Sequence, residues 1–136
     1  MEGARETINA PGAPAAIGPY SHAVRVGDLL FCSGQIPLDP TSGEIVGESM
    51  GGQAWRCLEN LEAVCEAAGT SLSRAVRVTI YMTDLAAFGE LNEVYGSFFG
   101  EEPPARVTVG VAALPRGARV EIEAVVSLQG PPPPTV

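Results

Sequence analysis

Apolar residues recur at helical spacing in two stretches of the chain. Between residues 50 and 68 they are separated mostly by three or four positions, and Gly69 follows as a C-cap. These residues are Ala54, Leu58, Leu61, Val64, Cys65 and Ala68. A second stripe follows Asp84, a common N-cap residue type, and ends at Gly100. It consists of Phe88, Leu91, Val94, Tyr95 and Phe98. The pattern predicts two amphipathic helices that cover one sheet face.

Alternation of apolar and other residues predicts the strands. Residues 22–26 and 29–36 are β-rich runs separated by Gly27-Asp28, a hairpin turn signal. In three later runs, the face expected to be core comprises Val76, Val78, Ile80, Met82, Val107, Val109, Val111, Val120, Ile122, Ala124, Val126 and Leu128. The opposite face is more polar and includes Arg77, Thr79, Tyr81, Arg106, Thr108, Gly110, Glu121 and Glu123. No further helix is predicted to cover it, so we expect it to meet another subunit.

These elements predict an α+β fold in a single domain over residues 1–129. The first twenty residues are rich in Pro and Gly and are interpreted as a surface segment that leads into the strands. Residues 130–136 form a Pro-rich tail that is expected to be flexible.

Acidic residues outnumber basic ones by 16 to 8, for a formal net charge of −8. This charge repels phosphate backbones and anionic lipids, so nucleic acid is not favoured as a partner. No run approaches the ~20 apolar residues of a membrane span. The first ten residues carry acids where a signal peptide needs a basic and then an apolar run. We therefore expect a cytoplasmic protein with no membrane partner.

Cysteine and histidine usage gives no sign of a metal site. Cys57 and Cys65 are on the first predicted helix, about 12 Å apart at ~1.5 Å per residue, which is too far for a disulfide. Reduced thiols, with Cys32 as the third, fit a cytoplasmic chain. One histidine and no C-x-x-C motif leave no zinc-ligand spacing, so chemistry without a metal is predicted.

Arg106 is the residue that most needs a partner. It follows Pro103-Pro104-Ala105 at the start of an alternating run, and we place it on the less apolar face. A guanidinium withdrawn from water is costly unless matched, and its planar fork pairs best with a carboxylate. That carboxylate belongs either to Glu121 or Glu123 on the same expected face, as a structural ion pair, or to a ligand. Periodicity alone does not choose between them.

Six separate motifs, in order between Ile8 and Leu128, carry a family resemblance. They are Ala15-Ala16-Ile17-Gly18-Pro19-Tyr20-Ser21, Ser33-Gly34-Gln35-Ile36-Pro37, the stretch from Asn60-Leu61 to Gly69, Asn92 with Tyr95 and Phe98-Phe99, Pro104-Ala105-Arg106, and Leu114-Pro115 followed by Val120-Glu121-Ile122-Glu123-Ala124. With these motifs the chain resembles the RidA (YjgF) family of imine deaminases, also called endoribonuclease L-PSP. The resemblance implies a fold like that of bacterial chorismate mutase, with a curved mixed sheet backed by two helices on one face. It also implies a homotrimer with its sites in clefts between subunits.

The same resemblance implies a 2-iminobutanoate/2-iminopropanoate deaminase, which hydrolyses 2-imino acids to 2-keto acids and ammonia without a cofactor. Arg106 then binds the substrate carboxylate, and Glu121 orients or deprotonates the attacking water. The remaining substrate-binding residues are Tyr20, Ser33, Gly34, Asn92 and Thr108. Thr108 stands where some members carry cysteine, so a thiol is excluded and a backbone contact is expected there.

Other functions stay open from the sequence. The chain could bind small carboxylates through Arg106 as a regulator without turnover, or Arg106 and Glu121 could join the subunits structurally. Some relatives are described as ribonucleases or translation inhibitors, but eight cations and one histidine do not favour RNA cleavage. His22, beside Ser21, does not predict a catalytic triad, because adjacent strand residues point to opposite faces. Three other residues are interpreted as packing groups: Cys32, Trp55 and Tyr95.

Overall fold

A computed structural model of the protein describes residues 4–129. Its strands are β1 (Glu6–Ile8), β2 (Ala23–Val26), β3 (Leu29–Gln35), β4 (Ala75–Met82), β5 (Ala105–Gly110) and β6 (Val120–Ser127). Its α-helices are α1 (Met50–Ala67) and α2 (Phe88–Phe99). Short 3-10 helices cover Leu72–Arg74, Leu85–Ala87 and Pro115–Gly117. The predicted Pro-rich tail lies outside the described residues.

The strands form one mixed sheet in the order β1-β2-β3-β6-β4-β5. Neighbouring strands are antiparallel except β4 and β5, which run parallel. Parallel neighbours need a long crossover connection, and α2 provides it between β4 and β5. The prediction of an α+β fold with a mixed sheet and two helices is confirmed, and β5 forms one edge of the sheet.

Side-chain caps stand at the start of α1 and of the 3-10 turn that precedes α2. The Ser49 hydroxyl accepts a hydrogen bond from the Gly52 amide at 3.0 Å, and α1 ends just before Gly69, whose φ is +83°. The Asp84 carboxylate accepts from the Ala86 amide at 3.0 Å. Asp84 therefore caps the 3-10 turn that precedes α2 rather than α2 itself, which begins at Phe88.

The core lies between the helices and one face of the sheet. The apolar stripe of α1 is buried as predicted, apart from the half-buried Ala68. Alternate residues of β4 and β6 meet it, and their side chains are fully buried: Val78, Ile80, Met82, Val120, Ile122 and Val126. Burying each such side chain stabilises the fold by roughly 1.5–3 kcal/mol. This layer fixes which face of each strand points to the helices.

Two face assignments made from the sequence are wrong. Val76 is 50% exposed, because the register between β4 and β6 shifts between Ala75 and Arg77. On β5, Val107 and Val109 are about two-fifths exposed on the sheet face away from the helices, so β5 has the reverse of the orientation expected. As an edge strand, β5 places its aliphatic side chains on the open face and its polar residues towards α2.

The N-terminal segment joins the sheet, which the sequence reading did not expect. Glu6–Ile8 pair antiparallel with β2, as a strand too short to show an alternating pattern. None of the helices among residues 4–129 has the length and apolarity needed to cross a membrane. Within the same residues, no group of three or more His, Cys, Asp or Glu side chains is arranged to hold a metal ion.

Candidate functional site

A cavity of about 540 Å³ opens on the sheet face away from the helices. Strands β3 and β6 form its floor, and the segment before β2 and the turn after β5 form its walls. Its lining residues are Ile17, Tyr20, Ser33, Gly34, Ile36, Pro115, Glu121 and Glu123. Four of the residues predicted from the sequence therefore lie together here: Tyr20, Ser33, Gly34 and Glu121.

Gly34 and Glu121 are in close contact across β3 and β6. A β-carbon built on Gly34 would come within contact distance of Glu121 Oε2 and would lie 3.0 Å from its Cδ atom. The Glu121 carboxylate can occupy this space because position 34 has no side chain. Nearby, the Ser33 hydroxyl donates to the Ser21 carbonyl at 2.7 Å, which leaves the lone pairs of the hydroxyl oxygen free to accept.

The environment of Glu121 favours its protonated form. Burial raises the pKa of the Glu121 carboxyl above its usual value, and the neighbouring charge of Glu123 raises it further. Glu123 is itself held in place, because the Tyr81 hydroxyl donates to it at 2.7 Å. A half-buried carboxylate with a raised pKa is a stronger base than an exposed one, which suits it to accept a proton from water.

Arg106 lies against aromatic rings of α2 and not against a carboxylate. Its guanidinium carbon is 4.8 Å from the ring centroid of Tyr95 and 5.4 Å from that of Phe88. Both distances are within the range of cation–π attraction. The guanidinium makes no ion pair or side-chain hydrogen bond within the described part of the chain, where the ion pair found joins Arg56 to Glu59. Inside one chain, Arg106 is therefore available to an anion.

Three buried polar atoms around Arg106 also lack hydrogen-bond partners within residues 4–129. They are Asn92 Oδ1, the Tyr95 hydroxyl oxygen and Thr108 Oγ1. Asn92 lies between Phe88 and Tyr95 on one stripe of α2, and Thr108 follows Arg106 on the same face of β5. Buried polar atoms in folded proteins are nearly always hydrogen-bonded. This group therefore indicates a place where a ligand or another chain supplies the hydrogen-bond partners.

The predicted site residues thus form two groups on opposite faces of the sheet. Arg106 pairs with Val78 of β4 and Glu121 pairs with Tyr81 of the same strand, three residues further on. Because successive residues of a strand point to opposite faces, Arg106 faces α2 while Glu121 faces the open side. The sequence expectation that both share one face, where Glu121 or Glu123 could neutralise Arg106, is wrong.

The remaining candidates are structural. His22 is buried, its Nδ1 accepts from the Ala10 amide at 2.9 Å, and its Nε2 lies 2.8 Å from the Pro14 carbonyl oxygen. Cys32 is buried in the main core cluster, and the three cysteines are free. Burial, followed by the nearby Glu121 charge, raises the pKa of the Cys57 thiol, so it stays protonated and unreactive.

Sequence reasoning missed the aromatic pair beneath Arg106. Phe88 was expected in the core, but its side chain is 40% exposed at the edge of the Arg106 group. Tyr95 was interpreted as packing alone. The available signal was Asn92, a polar residue inside an apolar helical stripe, because such an interruption marks a face that meets something other than core.

Comparison with known proteins agrees with the fold and with the motifs. The family model described as Endoribonuclease L-PSP matches residues 10–128. A relative from Sinorhizobium fredii, named RutC family protein y4sK, is 53% identical over 90% of this chain and 98% of its own. The 2-iminobutanoate/2-iminopropanoate deaminase of Mus musculus is 46% identical over 93% of each chain. The crystal structure of RidA from an Antarctic Psychrobacter matches with a TM-score of 0.86 at 46% identity, covering 90% of this chain and 98% of that one. The chain therefore belongs to the endoribonuclease L-PSP family, which includes RidA.

Proposed function

We propose that the protein hydrolyses the C=N bond of 2-imino acids and releases a 2-keto acid and ammonia. The observation that carries the proposal is the Arg106 guanidinium, which has no carboxylate partner within residues 4–129 although it is half-buried. A planar guanidinium binds a carboxylate through two parallel hydrogen bonds. The mouse relative named as an imine deaminase supports the choice of substrate class.

The reaction needs few groups. A 2-imino acid is readily protonated at nitrogen, and the iminium carbon is then electrophilic enough to be attacked by water. Glu121 takes a proton from that water as the water oxygen bonds to the iminium carbon. Glu121 then returns this proton to the nitrogen of the carbinolamine. The C–N bond breaks, ammonia leaves, and the carbonyl forms as the hydroxyl gives up its proton to Glu121 or to solvent. Arg106 holds the carboxylate so that the carbon faces the water, and general-base help of this kind is worth roughly 10²–10⁴-fold.

The two groups of residues support a site built between subunits. Arg106 and Glu121 face opposite sides of one sheet, so a substrate that touches both has to lie between two chains. The open sheet face also exposes apolar side chains that another chain could cover, among them Phe31, Val107 and Val109. A closed homotrimer with three equivalent clefts satisfies both requirements. Tyr20, Ser33 and Gly34 then come from the chain that supplies Glu121, and Asn92 and Thr108 from the chain that supplies Arg106.

The direct test is keto-acid formation from 2-iminobutanoate or 2-iminopropanoate generated in place. We expect the purified protein to exceed the spontaneous rate and Arg106→Ala to lower kcat/KM by about 10²-fold or more, because two charge-assisted hydrogen bonds are lost. Arg106→Lys keeps the charge but not the fork, so it should retain only part of the activity. Equal rates with and without wild-type protein would exclude the enzyme.

A second candidate is a regulator that binds small carboxylates without turnover. Arg106, which has no ion pair within residues 4–129, and the nearby hydroxyls of Tyr95 and Thr108 are donors that favour anion binding whether or not chemistry follows. Carboxylate binding by a protein that leaves the imine assay at its spontaneous rate would support this candidate. Loss of that binding in Arg106→Ala would assign it to the same site.

A further inference from the structure

Tyr95 has a ring with an evident packing role and a hydroxyl without one. The ring is nearly buried, lies 4.6 Å from the Phe99 ring and supports the Arg106 guanidinium at 4.8 Å. A phenylalanine would make all of these contacts. The hydroxyl oxygen, in contrast, is buried and has no hydrogen-bond partner within residues 4–129.

Retaining this hydroxyl works against the stability of the single chain. A buried donor without an acceptor loses its hydrogen bonds to water and gains nothing in return. Burial raises the pKa of Tyr95 to about 12, although the positive charge of Arg106 acts in the opposite direction. The group therefore stays protonated at neutral pH and remains a hydrogen-bond donor.

The chemistry of the surroundings selects an anion as the acceptor. The nearest charge is the Arg106 guanidinium, which has donors only, and the neighbouring Thr108 hydroxyl is another buried group without a partner. A carboxylate brings two oxygens with several lone pairs, enough for the guanidinium and a hydroxyl together. Asn92 Oδ1 is an acceptor in the same group, but it has no hydrogen-bond partner either and so does not accept from the Tyr95 hydroxyl.

The Arg106 guanidinium beside the Tyr95 ring is loosely held. Arg106 lies over the Tyr95 ring through cation–π contact and has no ion pair or side-chain hydrogen bond to break in the part of the chain described. Attraction of this kind at a partly exposed site is weak compared with a two-point bond to a carboxylate. The guanidinium can therefore turn towards a ligand carboxylate while it stays beside the Tyr95 ring.

We propose that Tyr95 is a substrate-binding residue, whose hydroxyl donates a hydrogen bond to the carboxylate held by Arg106. The inference rests on the proposed function, since it assigns another contact in the same site. It makes the site specific for substrates with a free carboxylate, because an ester or amide offers a weaker acceptor to the phenol. The residue acts in binding and takes no part in proton transfer.

The test is Tyr95→Phe, which keeps the ring and removes the hydroxyl. We expect the Kd for 2-oxobutanoate and the KM for 2-iminobutanoate to rise about tenfold while kcat changes little, because one hydrogen bond to a charged group is lost. The Tm should stay the same or rise, since the hydroxyl has no hydrogen-bond partner among residues 4–129. Tyr81→Phe is the matched control for stability: it removes a hydroxyl bonded to Glu123 and should lower the Tm.

The outcomes separate this inference from the proposed function. Unchanged Kd and KM in Tyr95→Phe overturn the inference while wild-type turnover still supports the enzyme. A lower Tm with unchanged affinity also overturns it, because the hydroxyl would then make a structural bond. If wild-type protein binds 2-oxobutanoate without catalysing imine hydrolysis, weaker binding in Tyr95→Phe supports the inference although the enzyme proposal fails.

Discussion

The carboxylate of Glu121 fills the space in which a side chain at position 34 would stand. A β-carbon on Gly34 would lie 3.0 Å from the Cδ atom and 3.1 Å from the Cγ atom of Glu121. Gly34 is not among the residues with positive φ, so its backbone conformation does not require glycine. Proximity to the proposed general base is therefore the reason for glycine at this position.

Gly34→Ala should displace Glu121 and lower kcat by about 10- to 100-fold, because a misplaced base cannot reach the attacking water. The fold should survive, as judged by circular dichroism. Gly96→Ala is the matched control: it lies in α2 with no atom within 4 Å of its added carbon, and it should stabilise the helix by roughly 0.5–1 kcal/mol without loss of activity. Full activity in Gly34→Ala would argue against Glu121 as the base.

A site shared between chains predicts recovery of activity in mixed assemblies. Arg106→Ala and Glu121→Ala should each be inactive alone, and co-expression should restore activity, because random mixing leaves about one interface in four with both residues. Steady-state rates of the purified mixture measure this recovery. Mixing Arg106→Ala with the double variant should restore nothing. If the first mixture is no more active than its parents, both residues act from within one chain.

The raised pKa of Glu121 predicts a pH-dependent cost to stability. A carboxyl that binds its proton more tightly in the folded state stabilises the fold below its unfolded pKa, near 4.5, and this contribution is lost as the pH rises through the folded value. Glu121→Gln should therefore melt above wild type at pH 7, and the two proteins should converge near pH 4. Thermal unfolding at both pH values measures the difference.

The control for that measurement is Glu93→Gln, an exposed position on α2 where little change is expected at either pH. A wild type that melts above Glu121→Gln at pH 7 would mean that a cation neutralises Glu121 permanently. Arg106 of a neighbouring chain is the cation expected in that case, and it would then not be available to the substrate carboxylate.

Helices and strands that are buried on one side were predictable from the sequence, because one-sided burial makes apolar residues recur at regular spacing. The stripe of α1 and the alternation of β6 reflect contact with a single core, and both predictions are confirmed. The edge strand β5 was oriented wrongly, since Val107 and Val109 are apolar and yet lie on the sheet face away from the helices. Val76 could not be placed from its period because a register shift moves it to the other side.

The division of the site residues between the two faces of the sheet could not be predicted from the sequence. The motifs named Arg106 and Glu121 as partners in one reaction, and their opposite faces follow from a parallel pairing that joins β5 to β4. No local pattern records which strands become neighbours. The roles of these residues rest on resemblance and stay predictions. The role proposed for Tyr95 could not be inferred from the sequence, because it depends on the position of Arg106 over the Tyr95 ring.

The two hydrogen bonds of His22 make the start of the chain part of the pocket. One imidazole ties Ala10 and Pro14 to the sheet, and the segment that follows carries Ile17 and Tyr20 into the cavity wall. Trimming an expression clone past Ala10 would cut one of these ties, remove a buried alanine from the edge of the core and loosen the wall. Added sequence, such as a purification tag, therefore belongs ahead of Glu6.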